Sequence, residues 1–74
     1  MPAYIRPIGV LKSFIGDKPE AIVETGRTLR QAIAELGIPG DKVAMILVND
    51  NPQPKDYVLQ DGDVARLIMA VSGG

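Results

Sequence analysis

The sequence predicts an α+β fold: a mixed sheet of four to five strands with one main helix on one face. Three observations carry this reading. A helix pattern with start and stop signals occupies residues 28–37. Apolar, strand-like segments lie both before and after it. Turn chemistry at Gly16-Asp17-Lys18-Pro19, Asn49-Asp50-Asn51-Pro52 and Asp61-Gly62-Asp63 separates those segments. The 74 residues leave room for one domain, 1–74, with a flexible tail expected at 72–74.

In chain order, residues 4–12 (YIRPIGVLK) are extended in character, and residues 20–24 (EAIVE) read as a second strand beyond the first turn. Segments 3–12 and 20–25 are therefore expected to form an antiparallel hairpin. Pro7 belongs at an edge, a strand start or a bulge, because proline cannot donate to a ladder. Thr28 has the chemistry of an N-cap, and Gln31 three residues on completes a capping box. Leu29, Ile33 and Leu36 then share one face, leaving Arg30, Gln31 and Glu35 to water. Gly37 can adopt the left-handed conformation that ends a helix, Ile38 can fold back on Ile33, and Pro39 blocks continuation. A helix of about 12 Å does not persist alone in water, so its apolar stripe must lie on the sheet.

Val43 to Val48 is a continuous apolar run, read as a strand buried on at least one face. Residues 53–59 read as irregular or as a short strand, anchored by Tyr57, Val58 and Leu59. Residues 64–71 form the last strand. The order strand, strand, helix, strand, short strand, strand is the β-grasp arrangement.

Composition excludes several functions. There are no cysteines and no histidines, so the chain has no thiol nucleophile, no imidazole base and no disulfide. A net charge of −1 and scattered lysines (Lys12, Lys18, Lys42, Lys55) give no footprint for nucleic acid. The longest apolar run is too short to span a bilayer, and no secretory signal pattern opens the chain, so a cytoplasmic domain without membrane contact is expected. Gly26, Gly37 and Gly40 match no phosphate-loop pattern. Asp50, Asp56, Asp61 and Asp63 lack the spacing of a calcium loop, and turn chemistry and solvation account for them better than a metal. Docking of a basic partner is a further use for them. No catalytic residue and no metal site is expected.

One set of segments points to a family. The tail Ala70-Val71-Ser72-Gly73-Gly74 follows a strand introduced by Leu59-Gln60-Asp61-Gly62-Asp63-Val64. Upstream stand Ile46-Leu47-Val48-Asn49-Asp50 and the helix segment from Thr28 to Gly37. Together they resemble the ubiquitin-like sulfur-carrier proteins of the MoaD/ThiS family, over nearly the whole chain and most specifically at 59–74. The long connection at 12–19 and the Val-Ser-Gly-Gly ending place the resemblance nearer MoaD.

At a background usage of about 7% glycine, two terminal glycines arise by chance in roughly one chain in 200. A carboxylate is a poor electrophile until its oxygen becomes a leaving group, and adenylation makes it one. Glycine has no Cβ and allows both signs of φ, so a Gly-Gly end suits a narrow nucleotide pocket. The resemblance implies that Gly74 is adenylated by an E1-like enzyme and then carries a thiocarboxylate. Gly73 supplies slimness, and Ser72 and Val71 guide the tail. A sulfurtransferase or other persulfide donor supplies the sulfur, and the large subunit of a synthase uses it. The implied acceptor is the molybdopterin precursor first and the thiazole of thiamin next. No cofactor is bound permanently, and the ATP belongs to the partner. The chain is then a cosubstrate rather than an enzyme. Two rivals stand beside this reading: a ubiquitin-like modifier forming isopeptide bonds through Gly74, and a non-catalytic interaction module.

The last strand also marks a surface. Arginine is rarely buried unpaired, so residues 64, 66, 68 and 70 should face away from the helix, with Ala65, Leu67 and Met69 beneath it. Both faces of the run 43–48 are apolar, so either Met45 and Leu47 or Ile46 must face outward; the family register favours the former. Scattered surface aliphatics are ordinary, whereas a contiguous patch marks a partner site. Met45, Leu47, Arg66 and Ile68 are the expected docking residues.

Overall fold

The computed structural model describes residues 1–69. Within them the chain runs β1 (Ala3–Pro7), a 3₁₀ segment (Gly9–Ile15), β2 (Ala21–Val23), α1 (Leu29–Glu35), a 3₁₀ turn (Gly40–Lys42), β3 (Val43–Val48), β4 (Asn51–Pro52) and β5 (Val64–Met69). The strands form one sheet in the order β2-β1-β5-β3-β4. β1 and β5 pair in parallel at its centre, and the remaining pairs are antiparallel. The mixed sheet and its single α-helix have the predicted architecture.

Local signals fix α1. The Thr28 hydroxyl accepts the Gln31 N–H at 3.1 Å, and the Gln31 side chain accepts the Thr28 N–H at 2.9 Å, closing the capping box. At the other end Gly37 has φ of 77°. The Ile38 N–H donates to the Ile33 carbonyl and the Gly37 N–H to the Ala34 carbonyl, the paired bonds of a Schellman ending. Ile38 and Ile33 are both buried, as expected. Leu29, Ala32 and Ile33 face the sheet and meet Ala3, Ile5, Ile46, Val48, Ala65 and Leu67 in the core. Leu11, Leu59 and Ile38 close its margins.

The first strand is shorter than expected, ending at Pro7 rather than continuing to residue 12. Even-numbered residues in and just after β1 donate toward β5, as Tyr4 does to Asp63 and Ile8 does to Leu67. The Pro7 nitrogen therefore faces the β2 side, where the register would bring Pro19, beyond the start of β2. A missing N–H there breaks no ladder bond. Gly9, at φ of 65°, then turns the chain into the 3₁₀ segment, whose Leu11 is buried. The second strand is likewise limited to Ala21–Val23 rather than 20–25, although the antiparallel pairing of the two segments is as expected.

Between β3 and β5 the short strand is Asn51–Pro52, not residues 53–59. Asn49 and Asp50 both have positive φ, 51° and 70°, the geometry of a tight two-residue hairpin turn joining Val48 to Asn51. Tyr57 and Leu59 anchor the following loop, whereas Val58, expected as a third anchor, is 43% exposed. Outside the sheet it forms an isolated bridge to Thr28, the N-cap of α1.

β3 contains an irregularity that sequence parity alone does not accommodate. Val43 and Ile46 are both buried although they stand three positions apart along an alternating strand, which would place them on opposite faces. A bulge between Val43 and Met45 resolves this: Val43 pairs with Met69 and Met45 with Ile68, so Ala44 has no opposite number. Ala44 and Met45 thus both face outward.

Candidate docking site on the open sheet face

Helix α1 covers one side of the sheet, and the other side presents the outward residues of its strands. In β5 the buried Ala65 and Leu67 alternate with Val64, Arg66 and Ile68. Met45 stands opposite Ile68, and Leu47 opposite Arg66. The four predicted docking residues therefore form two adjacent cross-strand pairs. Met45 is 48% exposed in the middle of a strand, while Leu47, Arg66 and Ile68 are half-buried by one another and their neighbours. Ile46 points the other way into the core, as expected from the resemblance.

The same face extends across β1 to the sheet edge. Tyr4 lies opposite Val64, Arg6 opposite Arg66, and Ile22 opposite Tyr4, with Ile22 70% exposed. Sequence reasoning did not include Tyr4, Arg6, Val64 and Ile22 among the docking residues. The alternation of buried Ala3, Ile5 and Pro7 is the signal that places Tyr4 and Arg6 outward. The result is an apolar strip around Met45, Leu47 and Ile68, bordered by two arginines.

The arginines are held by partners at opposite margins. Arg66 donates to Asp50 at 2.8 Å, and Arg6 lies 3.7 Å from Glu20. Asp50 reaches Arg66 because it sits in the tight β3–β4 turn, and that turn is itself pinned to the start of β5. The Asn49 amide donates to Asp63 Oδ1 at 2.8 Å and its oxygen accepts the Val64 N–H at 3.1 Å. Asp63 Oδ2 accepts the Tyr57 hydroxyl at 2.7 Å and the Gln60 N–H at 2.9 Å.

Asp63 is 5% exposed, which corrects its expected role as a solvated turn residue. Burial pushes its carboxyl up, but the bonds from Tyr57, the Gln60 amide and Asn49 together outweigh this and hold it below the ordinary carboxylate value. The same bond, with burial and the nearby negative charge, raises the Tyr57 phenol. Three further aspartates of the second half are separately engaged: Asp56 with Arg30, Asp50 with Arg66, and Asp61 near the N-terminal amine. Among the described residues no three acidic side chains converge on a metal position.

The tail residues Val71, Ser72, Gly73 and Gly74, and Ala70 before them, lie outside the described residues. They follow Met69 in sequence, directly from the strand that carries Arg66 and Ile68. Among the described residues no helix is long and apolar enough to cross a membrane.

Comparison with known proteins adds independent findings. The ThiS family matches residues 8–74. No curated protein matches by sequence. Solved structures match along the whole chain. SAMP1 from Haloferax volcanii is similar with a TM-score of 0.72 at 19% identity, each chain covered in full. A chain from the complex of subunits 1 and 2 of molybdopterin-converting factor from Helicobacter pylori 26695 is similar with a TM-score of 0.66 at 25% identity, again with full coverage of both. The solution structure of the Haloferax volcanii HVO 2177 protein is similar with a TM-score of 0.70 at 22% identity, covering 100% of this chain and 87% of that one. The fold is the ubiquitin-like β-grasp.

Proposed function

This chain belongs to the ThiS family, and from that premise we propose that it is a sulfur carrier loaded at Gly74 by a partner enzyme. The observation that carries the proposal is the family match running through the Gly-Gly end, on a chain whose docking face adjoins the strand leading to that end. The chain contains no thiol and no imidazole. It supplies a carboxyl group, and the catalysis belongs to others.

An E1-like adenylating enzyme docks on Met45, Leu47, Ile68 and Arg66 and receives the tail. The Gly74 carboxylate attacks the α-phosphate of the partner's ATP, and pyrophosphate leaves. A persulfide on a sulfurtransferase displaces AMP from the acyl carbon, and a thiol cleaves the resulting acyl disulfide to leave a thiocarboxylate. Ordering the tail costs about 1–2 kcal/mol per residue, which contacts on the open face offset.

Molybdopterin precursor is the leading acceptor. Its support is the likeness to a chain from the molybdopterin-converting factor complex of Helicobacter pylori, in which two subunits associate. By analogy the same face then serves the large subunit of a synthase, after the adenylating enzyme has left. The thiazole of thiamin is the alternative, favoured by the family match itself.

The test is ATP–pyrophosphate exchange by the source organism's adenylating enzyme with the full chain added. Exchange that depends on the chain and disappears when Gly73 and Gly74 are deleted is the expected result. Exchange indifferent to that deletion refutes the proposal.

A further inference from the structure

Arg6 of β1 and Arg66 of β5 are register partners in the central parallel pair, so two guanidinium groups share one strip of the open face. Like charges directly opposite each other across a sheet oppose its formation. Their carboxylates do not stand between them. Glu20 lies on the β2 side of Arg6, and Asp50 on the β3–β4 side of Arg66. Both ion pairs are exposed to solvent, a setting in which such a pair contributes little and is readily exchanged. Arg66 donates one hydrogen bond among the described residues, leaving further N–H groups of its fork available.

Beside the pair lies a groove of about 300 Å³, walled by Arg6, Arg66, Lys12, Pro7, Pro19 and the turn at Gly9. Among the described residues its wall carries three cations and no carboxylate. The groove also flanks the last part of β5, since the Ile8 N–H donates to the Leu67 carbonyl at 3.1 Å. Counting Glu20 and Asp50, which pair with the two arginines from outside the wall, the groove keeps an excess of one positive charge on a chain of net charge −1.

We propose that this groove reads charge for the docking face, and that it receives carboxylate side chains on the surface of the adenylating partner. The inference rests on the sulfur-carrier reading above. The groove is open and shares Arg66 with the apolar strip of Met45, Leu47 and Ile68, so its occupant must offer anionic groups and apolar area together. A protein surface does this and a free inorganic anion does not. Paired arginines suit carboxylates because each guanidinium presents a planar fork of donors.

The experiment measures chain-dependent ATP–pyrophosphate exchange by the adenylating enzyme at about 50 and about 300 mM NaCl, salt concentrations that separate screened from unscreened charge. With the native chain, KM for the chain is expected to rise with salt. Arg6→Glu and Arg66→Glu should each raise that KM about tenfold, and the double variant more, with kcat at saturation unchanged. The salt dependence should flatten in the double variant. Leu47→Ala should raise KM while keeping the salt dependence, and Lys18→Glu, outside the groove, should change neither. If Arg66→Glu does not fold, Arg66→Gln should give a smaller shift in the same direction.

Native KM and native salt dependence in the folded Arg6→Glu/Arg66→Glu chain overturn the inference alone. Absence of exchange with the native chain overturns the sulfur-carrier reading and this inference with it. Inorganic phosphate at millimolar concentration that saturates the Arg6, Lys12 and Arg66 resonances of the free chain also overturns it, in favour of a small-anion site.

Discussion

Tyr57 donates its phenolic hydrogen to Asp63 Oδ2 at 2.7 Å, tying the loop after β4 to the residue just before β5. The same carboxylate holds Asn49 in the β3–β4 turn and the Gln60 amide in the preceding turn. One buried acid therefore sets the hairpin that presents Asp50 to Arg66. Asp63→Ala leaves three donors without their acceptor and is expected to cost about 2–4 kcal/mol in urea unfolding. A loss below about 1 kcal/mol would show that water or another acceptor replaces the carboxylate.

Stability should depend on pH at both extremes through this pair. The Asp63 carboxyl lies below its ordinary value of 3.8 in the fold, so its contribution is present above that value and is lost as the solution becomes more acidic. The Tyr57 phenol lies above its ordinary value of 10.0, so the fold favours its neutral form. That contribution is present below pH 10.0 and is lost as pH rises through the higher folded value. Tyr57→Phe should weaken the acid limb and remove its own share of the alkaline limb. Denaturant midpoints measured from pH 2 to pH 11 check this, and identical profiles for the two proteins contradict it.

Neighbouring residues of β3 should behave oppositely on mutation. Ile46 is buried against the helix face, and Ile46→Ala is expected to cost about 2–4 kcal/mol. Leu47 is half-buried on the open face, so Leu47→Ala should cost about 1 kcal/mol or less while weakening chain-dependent adenylation. Equal destabilisation by the two would contradict the bulged register.

Both ends of α1 should be separately measurable. Thr28→Ala removes a side-chain acceptor and breaks the capping box, at an expected cost of about 1 kcal/mol. Gly37→Ala forces a side chain into φ of 77°, where open space surrounds the added Cβ, so backbone strain of about 1–2 kcal/mol is the expected loss. Each kcal/mol corresponds to about 4–8 °C in Tm for a domain of this size. Unchanged melting in either variant contradicts the assigned cap.

What the sequence made legible was what short-range chemistry determines. Thr28, Gln31 and Gly37 announce α1 within one turn of each end, and both end structures are as expected. The parity of Arg66 is enough to orient β5, whereas Met45 and Leu47 are separated from Ile46 by the resemblance to the family and not by the residues of the apolar run themselves. The 3₁₀ segment is hidden in the sequence because Val10 and Leu11 resemble a strand continuing from β1. Yet Ile8, Leu11 and Phe14 recur at the three-residue period of that helix, and Gly9 marks the change of direction. The role of Asp63 had no local signal. Its partners Asn49 and Tyr57 come from 14 and 6 residues away, and only the assembled sheet brings them to one carboxylate. Arg6 has no local signal for the docking face either, because only the parallel pairing of β1 with β5 sets it opposite Arg66.

The most direct measurement is the intact mass of the full chain after incubation with the adenylating enzyme, ATP and a persulfide donor. The expected product is heavier by the difference between sulfur and oxygen, with the change on Gly74. Neither a chain lacking Gly73 and Gly74 nor one carrying an alanine after Gly74 should gain it. An unaltered mass for the native chain, or lysine-linked conjugates in place of the sulfur-bearing species, would contradict the sulfur-carrier assignment.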